Sequence, residues 1–267
     1  MLTISSDILQ AWMNGLLWPL TRVLGMIAVA PIFGHRAMPV RFKVAIGVFI
    51  TLAIMPALPP MPTAVDMFSV RGGFIVFQQL LIGIAIGFVV RIAFAAVDMA
   101  GHFCAMSMGL GFATFYDPQS SGQTTAVTQL FVVIAMLFFL AMDGHLRLIM
   151  AVAESFFTMP VADTSSTGIS FLRIVTWGEH IFSAGLQLAL PAIAALLIAN
   201  LALGILSRTA PQLNLFGIGF PVTISIGLII IALSFPRMAV PLERLVNDAF
   251  GTIQHLTVPA LPLPLPQ

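Results

Sequence analysis

Charge is what this sequence has least of. Of its 267 residues 8% are charged and 59% are hydrophobic, whereas soluble domains carry about 25% charged residues. A chain so poor in charge cannot cover its apolar side chains with a polar surface, so much of it must meet lipid or other apolar protein. The formal net charge is +1, which leaves no electrostatic excess to hold a phosphate backbone and argues against nucleic acid as a partner. The only cysteine, Cys104, excludes an internal disulfide. His102 stands two residues before it, but a metal site needs three or four ligands, so the pair reads as a buried thiol beside a polar side chain. Catalytic groupings are equally scarce. The acids Asp7, Asp66, Asp98, Asp117, Asp143, Glu154, Asp163, Glu179, Glu243 and Asp248 are scattered singly. Glu179 and His180 are the one adjacent acid and histidine, and helical neighbours point about 100° apart, so they do not face each other. No phosphate loop, zinc-protease motif or dinucleotide fingerprint occurs. A non-enzymatic protein without a cofactor is the expectation.

What is present is a set of apolar runs: Ile8 to Phe33, Val44 to Leu58, Phe74 to Val97, Ala126 to Met142, Ile181 to Leu206 and Leu213 to Phe235. They predict an all-α membrane protein with about six apolar segments and no strands. No Lys or Arg precedes Ile8 and the first run is long, so it reads as part of the mature protein and not as a cleaved signal. The second run, fifteen residues long, extends about 22 Å as a helix, short of the roughly 30 Å hydrocarbon core. Other runs are interrupted by Asn14, Arg22, Arg91, Gln187, Asn200, Gly217 and Gly219. Pro19, Pro191 and Pro221 each free a carbonyl that lipid cannot satisfy, which predicts bent or broken helices packed inside a larger body. Arg22 and Arg91 each cost a few kcal/mol at membrane depth unless paired, snorkelling or hydrated. Arg91 and Asp98 share a helix face two turns apart, too far to pair directly; Arg91 is either a helix-end snorkel or a polar contact to a neighbouring subunit. Arg36, Arg41 and Lys43 make the loop Gly34 to Lys43 cytoplasmic by the positive-inside rule, with the amino terminus outside. Residues 1–257 are expected to form one helical membrane domain, with a polar loop from Thr158 to Gly168 and a proline-rich, extended tail over 258–267.

Two stretches stand apart from ordinary membrane text. In GHFCAMSMGLGFATFYDP, Gly101 to Pro118, Met106 and Met108 precede Gly109, Leu110 and Gly111, and Phe112, Phe115 and Tyr116 follow. Glycine lets the backbone leave a helix, and thioethers and rings fill irregular apolar space. The mixture suits a deformable apolar constriction that seals a channel, or equally a tightly packed helix end. The second stretch, Asn200 to Pro221, sets Arg208, Pro211, Gln212 and Asn214 between the last two apolar runs. It is either a plain helical hairpin turn or a polar tip that contacts a partner or lines a cytoplasmic entrance.

Over nearly its whole length the sequence resembles the FliR family, the flagellar member of the type III secretion export-gate proteins (FliR/SpaR/YscT-type). The resemblance rests on PIFG at Pro31 to Gly34 with Arg36 and Arg41 after it, GLGFATFYDP at Gly109 to Pro118, GHL at Gly144 to Leu146, and above all LALGILSRTAPQLNLFGIGFP at Leu201 to Pro221. Only the tail after His255 and the loop around Thr164 look idiosyncratic. The resemblance implies a subunit, present once, that closes a spiral of FliP-like and FliQ-like gate subunits, works with FlhB-like and FlhA-like export proteins, and passes unfolded flagellar proteins across the bacterial inner membrane at the flagellar basal body. It implies bent helical hairpins within a multi-subunit export-gate assembly, and a plug-like loop from Met106 to Tyr116 pointing into the conduit. A secondary transporter for a small solute is the rival reading, and it would need matching helix breaks in two halves, which the sequence does not display.

Overall fold

In a computed structural model, residues 6–35, 37–62, 65, 69–112, 125–161, 170–209 and 219–256 are described. Among them the secondary structure is helical, without strands. The helices are α1 (Ser6–Val29), α2 (Val40–Ile54), α3 (Val70–Ser107), α4 (Ala126–Ala141), α5 (Gly144–Thr158), α6 (Phe171–Gly178), α7 (His180–Thr209) and α8 (Phe220–His255), with short 3-10 turns at Met55–Ala57 and Leu110–Phe112. Four helical stretches are long and apolar enough to cross a membrane, and up to five if α4 and α5 together make one. Each of the six apolar runs in the sequence is carried mainly by one helix: α1, α2, α3, α4, α7 and α8.

The helices depart from the runs at their ends, for identifiable reasons. α2 begins at Val40 directly after Pro39, so Arg41 and Lys43 form its first turn instead of preceding it. With the 3-10 turn that follows it reaches eighteen residues, Val40–Ala57, and qualifies as a span where the bare apolar run fell short. Pro221 is the second residue of α8, in its first turn, where a missing N–H costs little. Pro19 and Pro191 do lie inside α1 and α7. α8 continues through Pro236 and Pro241 to His255, twenty residues past the sixth run. Asp143 interrupts α4 and α5 with a left-handed backbone, φ 55°, a conformation that Asp tolerates better than most residues. The tail over 258–267 and most of the polar loop, 162–169, lie outside the described residues.

The chain divides into two compact units. The first comprises Met1–Ile92, Asp143–Gly178 and Asp248–Gln267. Its core is organised around Arg22, which is fully buried. The guanidinium donates to Gln79 Oε1 from both Nε (2.8 Å) and Nη2, to Ser155 Oγ (2.9 Å) and to the Met159 carbonyl (2.8 Å), and its carbon lies 3.8 Å from the centroid of the Phe156 ring. The membrane-depth charge anticipated from the sequence is thus met by neutral acceptors and an aromatic face. α1 and α3 approach backbone to backbone here: a Cβ on Gly83 would lie 2.0 Å from the Arg22 carbonyl oxygen, and one on Gly87 2.7 Å from that of Met26. Gly83 and Gly87 are four apart, the small-residue spacing that lets helices close to this distance. Trp177 of α6 donates from Nε1 to the Val89 carbonyl (3.0 Å), fastening that short helix to α3.

The second unit comprises Ala93–Met142 and Glu179–Asn247. Here Gly101 lets α3 lie against α4, since a Cβ there would come within 2.7 Å of Thr128 Cα. Phe94 and Phe139 meet edge to face at 5.6 Å between centroids. A shallow apolar groove of about 70 Å³ is walled by Phe131, Phe138, Leu188, Phe235 and Met238 among others.

Candidate gate segment

The carboxyl end of α3 carries the residues that the sequence singles out, and it lies wholly within the second unit. The helix runs to Ser107 and closes on a bond from the Met108 amide to the Cys104 carbonyl (3.0 Å). The chain then turns. Gly109 adopts φ 81°, a left-handed conformation that side chains rarely accept, and its amide donates to the Met106 carbonyl (3.0 Å). This is the glycine-terminated helix end expected where a chain must leave its axis abruptly. Leu110 and Gly111 follow, half-buried, in a 3-10 turn whose last residue is Phe112.

The two methionines separate at this turn. Met106 is 69% exposed, while Met108 is fully buried. Met108 sits in a socket on α8: a Cβ added to Gly227 would fall 2.6 Å from Met108 Cγ, 2.7 Å from Cε and 2.8 Å from Sδ. Two carbonyls at the helix end are taken up by side chains from two other helices. Asn200 Nδ2 on α7 donates to the Ser107 carbonyl (3.0 Å), and Thr223 Oγ1 on α8 donates to the Met108 carbonyl (3.3 Å). Helix termini require such partners, and in an apolar setting water does not supply them. Asn200 was visible in the sequence only as an interruption of an apolar run. Thr223 and Gly227 gave no signal, because their role depends on contacts across more than a hundred residues of sequence.

Phe115 and Tyr116 lie outside the described residues, as do Pro211, Gln212 and Asn214. Arg208 is exposed on the last turn of α7, where a cation suits the negative end of the helix. Arg91 is exposed on α3. Asp98 is half-exposed, and its Oδ2 lies 3.7 Å from His102 Nε2, one turn along the same helix. Among the described residues no three His, Cys, Asp or Glu side chains converge as a metal site would require.

Apolar helices long enough to span a bilayer, with a buried Arg22 paired inside the helical body and a glycine turn braced at the end of the longest described helix, define a helical integral membrane protein. The particular family follows from comparison with known proteins. Residues 13–249 match the family described as Bacterial export proteins, family 1, and the chain belongs to it. It is 41% identical to the flagellar biosynthetic protein FliR of Pectobacterium carotovorum subsp. carotovorum over 256 residues, which cover 96% of this chain and 97% of that protein. It is likewise 41% identical to FliR of Escherichia coli (strain K12) over 263 residues, 98% of this chain and all of the relative. A more distant relative, FliR of Bacillus subtilis (strain 168), is 26% identical over 240 residues. The chain is therefore a FliR-family protein, and a small-solute transporter is not favoured.

Proposed function

We propose that this chain is a non-enzymatic subunit of the flagellar protein export gate in the bacterial inner membrane, and that the segment Met106 to Tyr116 seals the conduit when no substrate passes. The supporting observation is the end of α3: a long apolar helix stops at a glycine turn, one methionine is held in a socket, and its neighbour, Met106, projects uncovered. A narrow apolar constriction excludes water and ions, yet thioethers and rings can rearrange when a polypeptide is pushed through. FliP-like and FliQ-like subunits would surround the chain, and FlhB-like and FlhA-like proteins would deliver unfolded flagellar substrates. Arg208 with Pro211, Gln212 and Asn214 would form the polar tip that meets a partner or lines the cytoplasmic entrance, and Arg91 and Asp98 would face polar surroundings within the assembly.

The test is permeability measured beside particle number. Deleting Gly109 to Phe115, or replacing Phe112 and Phe115 with Gly, is expected to let small ions or a dye cross the inner membrane in cells that still assemble the complex. If the segment only packs the core, the complex fails to form, since each large side chain lost from a packed site costs about 3–5 kcal/mol. Normal assembly without a leak would remove the seal.

A further inference from the structure

Gly109 breaks the helix, and beyond it only a 3-10 turn remains before residue 113. Some other part of the chain must fix the point from which the segment projects. We infer that Asn200, Thr223 and Gly227 form a latch that clamps the last turn of α3 and so sets the resting position of the sealing segment; this rests on the seal reading above. Three independent contacts converge on two consecutive residues. Asn200 holds the Ser107 carbonyl from α7, Thr223 holds the Met108 carbonyl from α8, and Gly227, one turn further along α8, leaves the space that the Met108 side chain fills.

The chemistry suits a latch better than a permanent weld. Neither hydrogen bond involves a charge, and the Thr223 bond is long at 3.3 Å, so each is of the weak, neutral kind. Met108 is unbranched and can leave a socket without a backbone clash. The groups holding the turn lie on α7 and α8, so a movement of either helix is transmitted to Met106 and Gly109 directly. These are positioning residues, and they need not touch the substrate.

The variants separate the possibilities. Thr223→Val keeps the shape and removes the hydroxyl, Thr223→Ser keeps the hydroxyl, and Gly227→Ala places a methyl group where Met108 now sits. Loss of one neutral hydrogen bond shifts a closed-to-open ratio by about fivefold to tenfold. A rise of about that size in ion permeability per assembled particle is therefore expected for Thr223→Val, with Thr223→Ser near wild type. Gly227→Ala is expected to leak as well, because the added methyl group displaces the Met108 side chain. The latch is overturned if Thr223→Val and Gly227→Ala are as tight as wild type while deletion of Gly109 to Phe115 leaks. It is equally overturned if both variants lose assembled particles without any leak per particle, because the contacts then serve the fold alone. If the deletion itself does not leak, the seal reading fails first, and that outcome is recognisable from the deletion strain without the latch variants.

Discussion

Arg22 shows how a single residue can be placed against the preference of its solvent. A guanidinium buried in apolar surroundings is expensive, and here each group it hydrogen-bonds or stacks on is formally neutral. Gln79 Oε1 receives two of its N–H groups, yet the Gln79 amide nitrogen is buried without a partner. The cluster is therefore complete on the oxygen side of Gln79 and incomplete on the nitrogen side. Gln79→Glu would replace the unsatisfied donor with a second acceptor and give the cation a fork-to-fork partner. Gln79→Leu would strand the charge, a change that typically costs about 3–5 kcal/mol. The expected order of thermal stability in detergent-extracted complex is Glu at or above wild type and Leu well below. Combining Arg22→Met with Gln79→Leu should recover part of the loss, because both sides of the pair are then apolar. A Leu variant as stable as wild type would mean that Gln79 is not what holds the charge.

At the scale of elements, α3 is the most buried of the four candidate spans. Its most apolar stretch is 67% buried within the chain, against 22% for the stretch spanning α6 and α7 and 11% for α8. Its glycines are not equivalent. Gly83 lies against the backbone of α1, where a Cβ would be 2.0 Å from an oxygen, whereas Gly73 has nothing within 4 Å. Gly73→Ala is expected to be neutral or to stabilise by up to about 1 kcal/mol through helix propensity. Gly83→Ala forces two backbones apart and should lower the amount of folded protein in the membrane severalfold, measured by quantitative blotting of both variants at equal synthesis. Equal levels would place the close approach of α1 and α3 in doubt. The elements themselves were largely legible, since long apolar runs have few alternatives in lipid. The amphipathic pieces were harder to see. The end of α8 buries Leu245, Val246, Ala249, Phe250 and Ile253 on one face, a helical spacing present in the sequence but hidden behind Pro236 and Pro241 and the charges at Glu243, Arg244 and Asp248. Met106 to Gly111 could be marked as unusual from composition. Which methionine is anchored and which projects could not, because the socket at Gly227 and the bonds from Asn200 and Thr223 are tertiary facts.

For the molecule as a whole, two features point away from an independent existence. α3 and α8, at 38 and 36 residues, extend about 57 Å and 54 Å, well beyond a hydrocarbon core of about 30 Å. Tilt absorbs only part of such an excess, so stretches of both helices must lie outside the lipid, with their apolar residues still in need of cover. Exposed side chains on these and neighbouring helices include Phe74, Phe77, Phe182, Leu190, Ile198, Leu201, Ile229 and Leu233. Lipid would accept such residues at membrane depth, but water would not. Polar side chains are exposed as well: Arg91 midway along α3 and Gln187 within α7, groups that cost a few kcal/mol each against hydrocarbon. Neither a bilayer nor water alone suits this surface, whereas other helical subunits offering both apolar contact and hydrogen bonds would. Expressed without its flagellar neighbours, the chain is expected to be degraded or to aggregate after extraction. Co-expression with FliP-like and FliQ-like subunits is expected to yield a discrete particle containing all three, resolved by size-exclusion chromatography with mass determination in mild detergent. A monodisperse monomer that withstands hours of incubation would show that lipid and detergent suffice to cover it, and the proposed place in a gate assembly would lose its physical basis.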